Sequence, residues 1–194
     1  MKILVGIPSR HTIDVESAVS IMNLDRAGHA VDFCHSDGAG VYGVAQARNA
    51  LCLKAVEGDY DKLLMIDSDV IVPRDAIKNL LDPDVPLVVG VARFKSDSGA
   101  TTVYGPGVGP QRVLLWDDIP EKRFDIVEAG MSCVMIDVEV LRKMPRPWFV
   151  WTEHENGSYC GEDLKFMENA YRMNVYAQAD GRVKCGHIGR KIYD

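Results

Sequence analysis

Apolar positions in this chain fall into short continuous runs separated by amphipathic stretches. Lys2–Pro8 (KILVGIP) is apolar at both alternating sets of positions, as in a strand buried on both faces. Val15, Ala18, Val19 and Met22 recur at helical spacing and predict a helix packed through that stripe and stopped by Gly28. Ala30–His35 predicts a second strand, followed by a glycine-rich loop (Ser36-Asp37-Gly38-Ala39-Gly40). A helix is expected from about Val44 to Glu57, capped by Gly58, and Lys62–Ile66 (KLLMI) predicts a third strand. Pro73 suits the first position of a short helix through Leu81, and Leu87–Ala92 reads as a fourth strand. Strand and helix alternate throughout. This order predicts a mostly parallel sheet with helices on both faces.

The rhythm breaks after that. Ser96–Pro110 holds four glycines and two prolines and predicts a long loop or flap. Gln111–Trp116, Asp125–Glu128 and Ser132–Ile136 predict short strands, and Asp137 is placed to cap a helix to Lys143 that Pro145 ends. Pro145–Gly161 is irregular and rich in aromatics, Glu162–Met173 predicts a helix, and Val175–Ala179 and Val183–Cys185 predict two closing strands. No repeat, low-complexity tract or linker divides the 194 residues, so one domain is expected. Its nucleotide-binding half would span about 1–95 and its acceptor and metal half about 96–194.

Composition narrows the function classes. The net charge of −6 and a pI near 5.4 argue against nucleic acid as the main partner, though not against a local basic pocket. No apolar run approaches the ~20 residues of a membrane span. Five scattered cysteines with no CxxC pair read as reduced thiols, so disulfides and a structural zinc site are not expected and a cytoplasmic location is.

The sharpest local signal is Asp67-Ser68-Asp69, two carboxylates at the end of an apolar strand. Ligands of open α/β sheets bind outside the carboxyl ends of the strands. Two close carboxylates repel, and a cation that favours oxygen ligands, Mn²⁺ or Mg²⁺, relieves this and can be shared with phosphate oxygens. A polar turn with a capping aspartate is the simpler alternative on spacing alone.

The context favours the metal. Ala47-Arg48-Asn49, Gly58-Asp59 and the strand into Asp67-Ser68-Asp69 resemble the GT-A-fold glycosyltransferases of the family 2 kind. Ala129-Gly130-Met131, Gly161-Glu162-Asp163 and Gly186-His187-Ile188 are similar to later landmarks of polypeptide N-acetylgalactosaminyltransferases. The resemblance covers almost the whole chain in the right order. It implies a GT-A (nucleotide-diphospho-sugar transferase) fold with a mixed, mostly parallel central sheet. It also implies metal-dependent transfer of a sugar from a nucleoside diphosphate sugar, UDP-sugar by family frequency, to a hydroxyl acceptor, with donor hydrolysis when no acceptor is present.

The resemblance further implies roles for residues. Pro8, Ser9 and Arg10 would bind the nucleobase, and Arg48 would contact base or ribose. Asp67 and Ser68 would meet the nucleotide, and Asp67, Asp69 and His187 would hold the metal. Of Glu162 and Asp163, one would serve as general base in an inverting enzyme, with Asp163 favoured as the group facing the sugar. Where the family often carries consecutive aspartates after the second strand, this chain has Cys34-His35-Ser36-Asp37-Gly38, with Asp37 as the stand-in. Glycines flanking His187 let the backbone approach a ligand, and Arg190 and Lys191 could pair with the diphosphate. Trp148, Trp151 and Tyr159 are candidate acceptor contacts, because aromatic faces pack on sugar C–H surfaces; a hydrophobic plug is the alternative. Asn156-Gly157-Ser158 matches a glycosylation sequon.

Two other classes stay open at the level of sequence. Asp67-Ser68-Asp69-Val70-Ile71 also resembles the nucleophile motif of haloacid-dehalogenase phosphatases. A nucleotide- or carbohydrate-binding module without turnover is the third.

Overall fold

A computed structural model describes residues 1–40, 42–106, 112–153, 157 and 159–189. Its elements run β1 (Lys2–Ser9), α1 (Val15–Met22), β2 (Ala30–Asp37), α2 (Gly43–Glu57), β3 (Lys62–Ile66), β4 (Val70–Ile71), α3 (Ala76–Leu80) and β5 (Leu87–Ala92). Then follow β6 (Ala100–Gly105), β7 (Arg112–Leu115), a 3-10 turn (Trp116–Asp118), β8 (Arg123–Asp125), β9 (Glu128–Ala129), β10 (Cys133–Asp137) and α4 (Val138–Lys143). The chain ends in β11 (Thr152–Glu153), β12 (Tyr159–Cys160), α5 (Glu162–Arg172) and β13 (Gln178–His187).

The central sheet has the order β2-β1-β3-β10-β5-β13-β4, with β8 also paired to β13. The β2/β1, β1/β3 and β5/β13 pairs are parallel, and β10 runs antiparallel between β3 and β5. This is the expected mixed, mostly parallel sheet. Its strands divide their side chains between two cores by the two-residue alternation of the pleat. Leu4, Leu63, Met65 and Val134 join the core under α2, α4 and α5. Ile3, Val5, Leu64 and Ile66 join the core under α1 and α3. Gly6 lies on the first face, where an added Cβ would stand 3.1 Å from Leu51, so α2 packs directly on β1.

Local expectations fared unevenly. Asp137 does cap α4, its Oδ1 accepting from the Glu139 N–H at 2.9 Å. In α1 the predicted stripe is wrong: Val15, Val19 and Met22 are 72, 51 and 81% exposed, and Ser17 and Ile21 face the core. The short helix offers two apolar faces. Ile21 fills the core while the Ser20 hydroxyl accepts from the Val72 N–H at 3.1 Å, which fixes the rotation. That helix ends at Asn23, before Gly28, and α3 begins at Ala76, three residues after Pro73.

The predicted flap Ser96–Pro110 contains β6, paired with β7 and β9; residues 107–110 lie outside the described residues. The β-forming run Thr101-Thr102-Val103-Tyr104 outweighs the glycines around it. The two predicted closing strands are one strand, β13, with a register shift between Asp180 and Lys184, where a bulge absorbs the intervening residues. All five cysteines are free thiols. Among the described residues, no helix is long and apolar enough to cross a membrane.

Candidate active site at the carboxyl edge of the sheet

Asp67 leaves the end of β3 with its N–H donating to the Ser132 carbonyl at 2.9 Å. Its carboxylate faces back into the protein. Arg48, on α2 and only 4% exposed, donates to Asp67 Oδ1 at 2.8 Å and to Glu162 Oε1 at 2.7 Å. One guanidinium therefore ties the end of β3 to the first turn of α5. Burial works against the Arg48 charge, yet Asp67 and Glu162 hold its pKa above the ordinary value. Burial pushes both carboxyls up, and Arg48 opposes that rise.

Next to Arg48, Asn49 fixes the aromatic segment. Its Oδ1 accepts from the N–H groups of Trp148 and Phe149 at 3.0 and 3.1 Å, and its amide donates to the Phe149 carbonyl at 2.7 Å. Phe149 stacks on Phe166 of α5 with ring centres 4.6 Å apart. The Ala47-Arg48-Asn49 turn of α2 is thus the frame of the site. Contact of Arg48 with a base or ribose, the sequence expectation, gives way to this carboxylate bridge.

Asp69 and His187 meet because β13 pairs antiparallel with β4, setting His187 opposite Val70. The Ile188 N–H donates to the Asp69 carbonyl at 2.8 Å and closes the junction. His187 Nδ1 lies 2.7 Å from the Arg93 carbonyl, which can only accept, so Nδ1 carries the proton. In the neutral ring Nε2 then presents a lone pair, 3.5 Å from Asp69 Oδ1. Metal-binding histidines are characteristically oriented by such a backbone bond. The Lys95 ammonium sits on Asp69 Oδ2. Partial burial raises the Asp69 pKa, but His187 and Lys95 outweigh it and hold the carboxyl at about 2. The bond to Asp69 raises His187 above the ordinary histidine value, against its burial.

The expected metal trio is not gathered. Among the described residues no group of three or more His, Cys, Asp and Glu converges as a cluster that could hold a metal ion. Asp69 and His187 are adjacent, while Asp67 is committed to Arg48. Glu162, a candidate base, is 6% exposed and bound to Arg48. Asp163 is half-buried and lies beside Gly130, where an added Cβ would be 3.5 Å from its Oδ2. Ser68 is half-buried, and its carbonyl accepts from the Asp14 N–H at 2.9 Å.

At the other end of the edge, Ser9 and Asp37 are paired in register on β1 and β2. Ser9 is buried and shares a 2.6 Å hydrogen bond with His35 Nε2, and its Oγ lies 3.5 Å from Asp37. Pro8 is buried and Arg10 exposed. The loop to α2 is tight: a Cβ on Gly38 would fall 1.6 Å from the Gly43 carbonyl oxygen.

The aromatic candidates separate. Trp148 is 2% exposed, with its indole donating to the Leu141 carbonyl at 2.9 Å, so its ring belongs to the core. Trp151 and Tyr159 are 37 and 60% exposed, and both line a cavity of about 430 Å³ with Tyr42 and Gln46. Arg190, Lys191, Asn156 and Ser158 lie outside the described residues. Sequence reasoning missed Lys95 and the carbonyl of Arg93, since no local motif marks a residue that acts through a hairpin.

The sequence matches no protein-family model and no curated protein. Solved structures do match. The crystal structure of A197 from STIV superposes with a TM-score of 0.66 at 19% identity, over 98% of this chain and 87% of that one. GalNAc-T7, solved with UDP, GalNAc and Mn²⁺, gives 0.64 at 12% identity over 98% of this chain. This chain has a GT-A-type fold. It spans 43% of the GalNAc-T7 chain. The inositol-1-phosphate CTP transferase of T. maritima superposes more loosely, with a TM-score of 0.55 at 13% identity over 97% of this chain and 89% of that one. The acid pair follows β3, the third strand of the chain, and antiparallel β10 lies beside it.

Proposed function

We propose that this chain is a glycosyltransferase that moves a sugar from a nucleoside diphosphate sugar to a hydroxyl acceptor. The observation that carries the proposal is the Asp69–His187 pair, assembled by β4 and β13 at the carboxyl edge of a GT-A-type sheet with His187 Nε2 facing Asp69. UDP is the preferred nucleotide, in line with the UDP and Mn²⁺ of the GalNAc-T7 structure.

Asp69 and His187 fit a divalent cation as one oxygen and one imidazole ligand, a donor set that favours Mn²⁺ over Mg²⁺. The ion would supply Lewis-acid stabilisation of the leaving diphosphate. Lys95, which neutralises Asp69 in this structure, would move to a phosphate oxygen. Asp67 would reach the ribose with the oxygen that Arg48 leaves, and Ser9 and Asp37 would bind the nucleoside. Asp163 is placed to face the sugar and, in an inverting reaction, to take the acceptor's proton. Trp151 and Tyr159 would offer ring faces to the acceptor. Arg48 acts by positioning, holding Asp67 and Glu162.

A panel of nucleotide sugars with Mn²⁺, scored for released nucleoside diphosphate, tests the proposal. Release from a UDP-sugar that stops on chelation supports it. Nucleotide binding without turnover of any donor would favour the binding module.

A further inference from the structure

A cavity of about 880 Å³ opens beside His187, between the β5–β6 hairpin, Trp116 and the end of β13. Among the described residues its lining carries Arg93 and Lys184, with Lys95 paired to Asp69, against one acid, Asp97, in a chain with net charge −6. Val183 and Cys185 point into the core beneath one sheet face, so the pleat sends Lys184 out of the other, towards Trp116. The Arg93 guanidinium lies 4.6 Å from the centre of the Trp116 ring and the Lys184 ammonium 5.4 Å. Among the described residues neither cation forms an ion pair; the shared ring is what both contact. Two cations converging on one ring repel each other, and an anion between them removes that repulsion. An arginine fork beside an ammonium matches the several oxygens of a phosphate, and the indole face offers a surface for its carbon skeleton.

The pocket reaches His187 and Lys95 at the strand ends, and Lys184 and Trp116 line its part away from them. Lys184 precedes His187 by three strand residues, roughly 10 Å along β13 and down the sheet face. We propose that this pocket binds the phosphate of a phosphorylated hydroxyl acceptor. The proposal rests on the glycosyltransferase function above, and it names the acceptor class.

Calorimetry on the full chain tests it, with sn-glycerol 3-phosphate as the probe and glycerol as the uncharged control. The expected result is binding of glycerol 3-phosphate, but not glycerol, with equal affinity in the absence and presence of saturating UDP and Mn²⁺. The Arg93→Gln/Lys184→Gln variant should weaken that binding by at least about tenfold, as expected for lost charge-assisted hydrogen bonds. Lys184→Gln, which touches none of the donor or metal residues, should leave the affinity for UDP and Mn²⁺ unchanged. Lys184→Gln alone provides a second variant, and thermal melts check that both fold. Competition by UDP, or a parallel loss of UDP affinity in Lys184→Gln, would assign the cations to the donor diphosphate and overturn the proposal. So would absent binding, or binding that the variants leave intact. Failure of UDP to bind while glycerol 3-phosphate does bind would instead overturn the donor assignment.

Discussion

Arg48 shows how one side chain can be legible in position and misread in role. Its place in Ala47-Arg48-Asn49 marked it as part of the site, but only the fold shows that it joins Asp67 to Glu162. Nothing in the spacing of three residues on α2, β3 and α5 encodes that meeting. Removing the guanidinium leaves two carboxylates facing each other with little water. Arg48→Met should therefore destabilise the protein by about 3 kcal/mol, the low end for a broken buried pair because Asp67 keeps some solvent contact. Urea unfolding measures it, and a loss within error of zero would mean that the bridge is not stabilising. The acid pair itself should divide its labour. Asp69→Ala should abolish Mn²⁺-dependent UDP binding, whereas Asp67→Ala should weaken it less, because Asp67 is committed to Arg48. Equal losses by calorimetry would contradict this division.

At the scale of elements, long apolar strands were easy to read and short or composite ones were not. β1, β3 and β5 are buried on both faces and announce themselves as unbroken apolar runs. β6 was hidden by glycines on either side, and β13 was split in two by its own bulge. That bulge is held by Asp180, fully buried, which accepts from the Arg182 backbone N–H at 3.0 Å and its Nε at 2.9 Å and lies 3.5 Å from Arg123 Nε. Burial alone would raise the Asp180 pKa, but Arg182 and Arg123 overcome it and depress the value. A carboxyl depressed on folding contributes stability above its unfolded pKa of about 3.9 and loses it as pH falls through the folded value. Asp180→Asn should thus flatten part of the acid limb of stability below about pH 4. Denaturant titrations across that range would refute the assignment if wild type and variant ran parallel. In α1, Ile21→Ala should cost about 2–4 kcal/mol, while Val19→Ser should stay within about 0.5 kcal/mol. The reverse order would restore the stripe that the sequence suggested.

At the scale of the whole molecule, the site depends on topology more than on any motif. The chain passes from β3 at the middle of the sheet to β4 at its edge, carrying Asp69 beyond β13, and the last strand returns to set His187 against it. The alternation of strands and helices made the parallel half of this sheet legible. The insertion of antiparallel β10 between β3 and β5 was not, because a five-residue apolar strand carries no mark of its direction. The GT-A resemblance supplied the connection between distant landmarks, and the fold agrees with it. The proposed transferase function rests on His187 Nε2, turned towards Asp69 by the carbonyl of Arg93. Calorimetric titration of UDP with and without Mn²⁺, in the natural chain and in His187→Ala, tests this most directly. Mn²⁺ should strengthen UDP binding in the natural chain, and the variant should need at least about tenfold more Mn²⁺ for the same effect. Equal UDP affinity with and without Mn²⁺ in the natural chain, or an unchanged Mn²⁺ requirement in the variant, would contradict it.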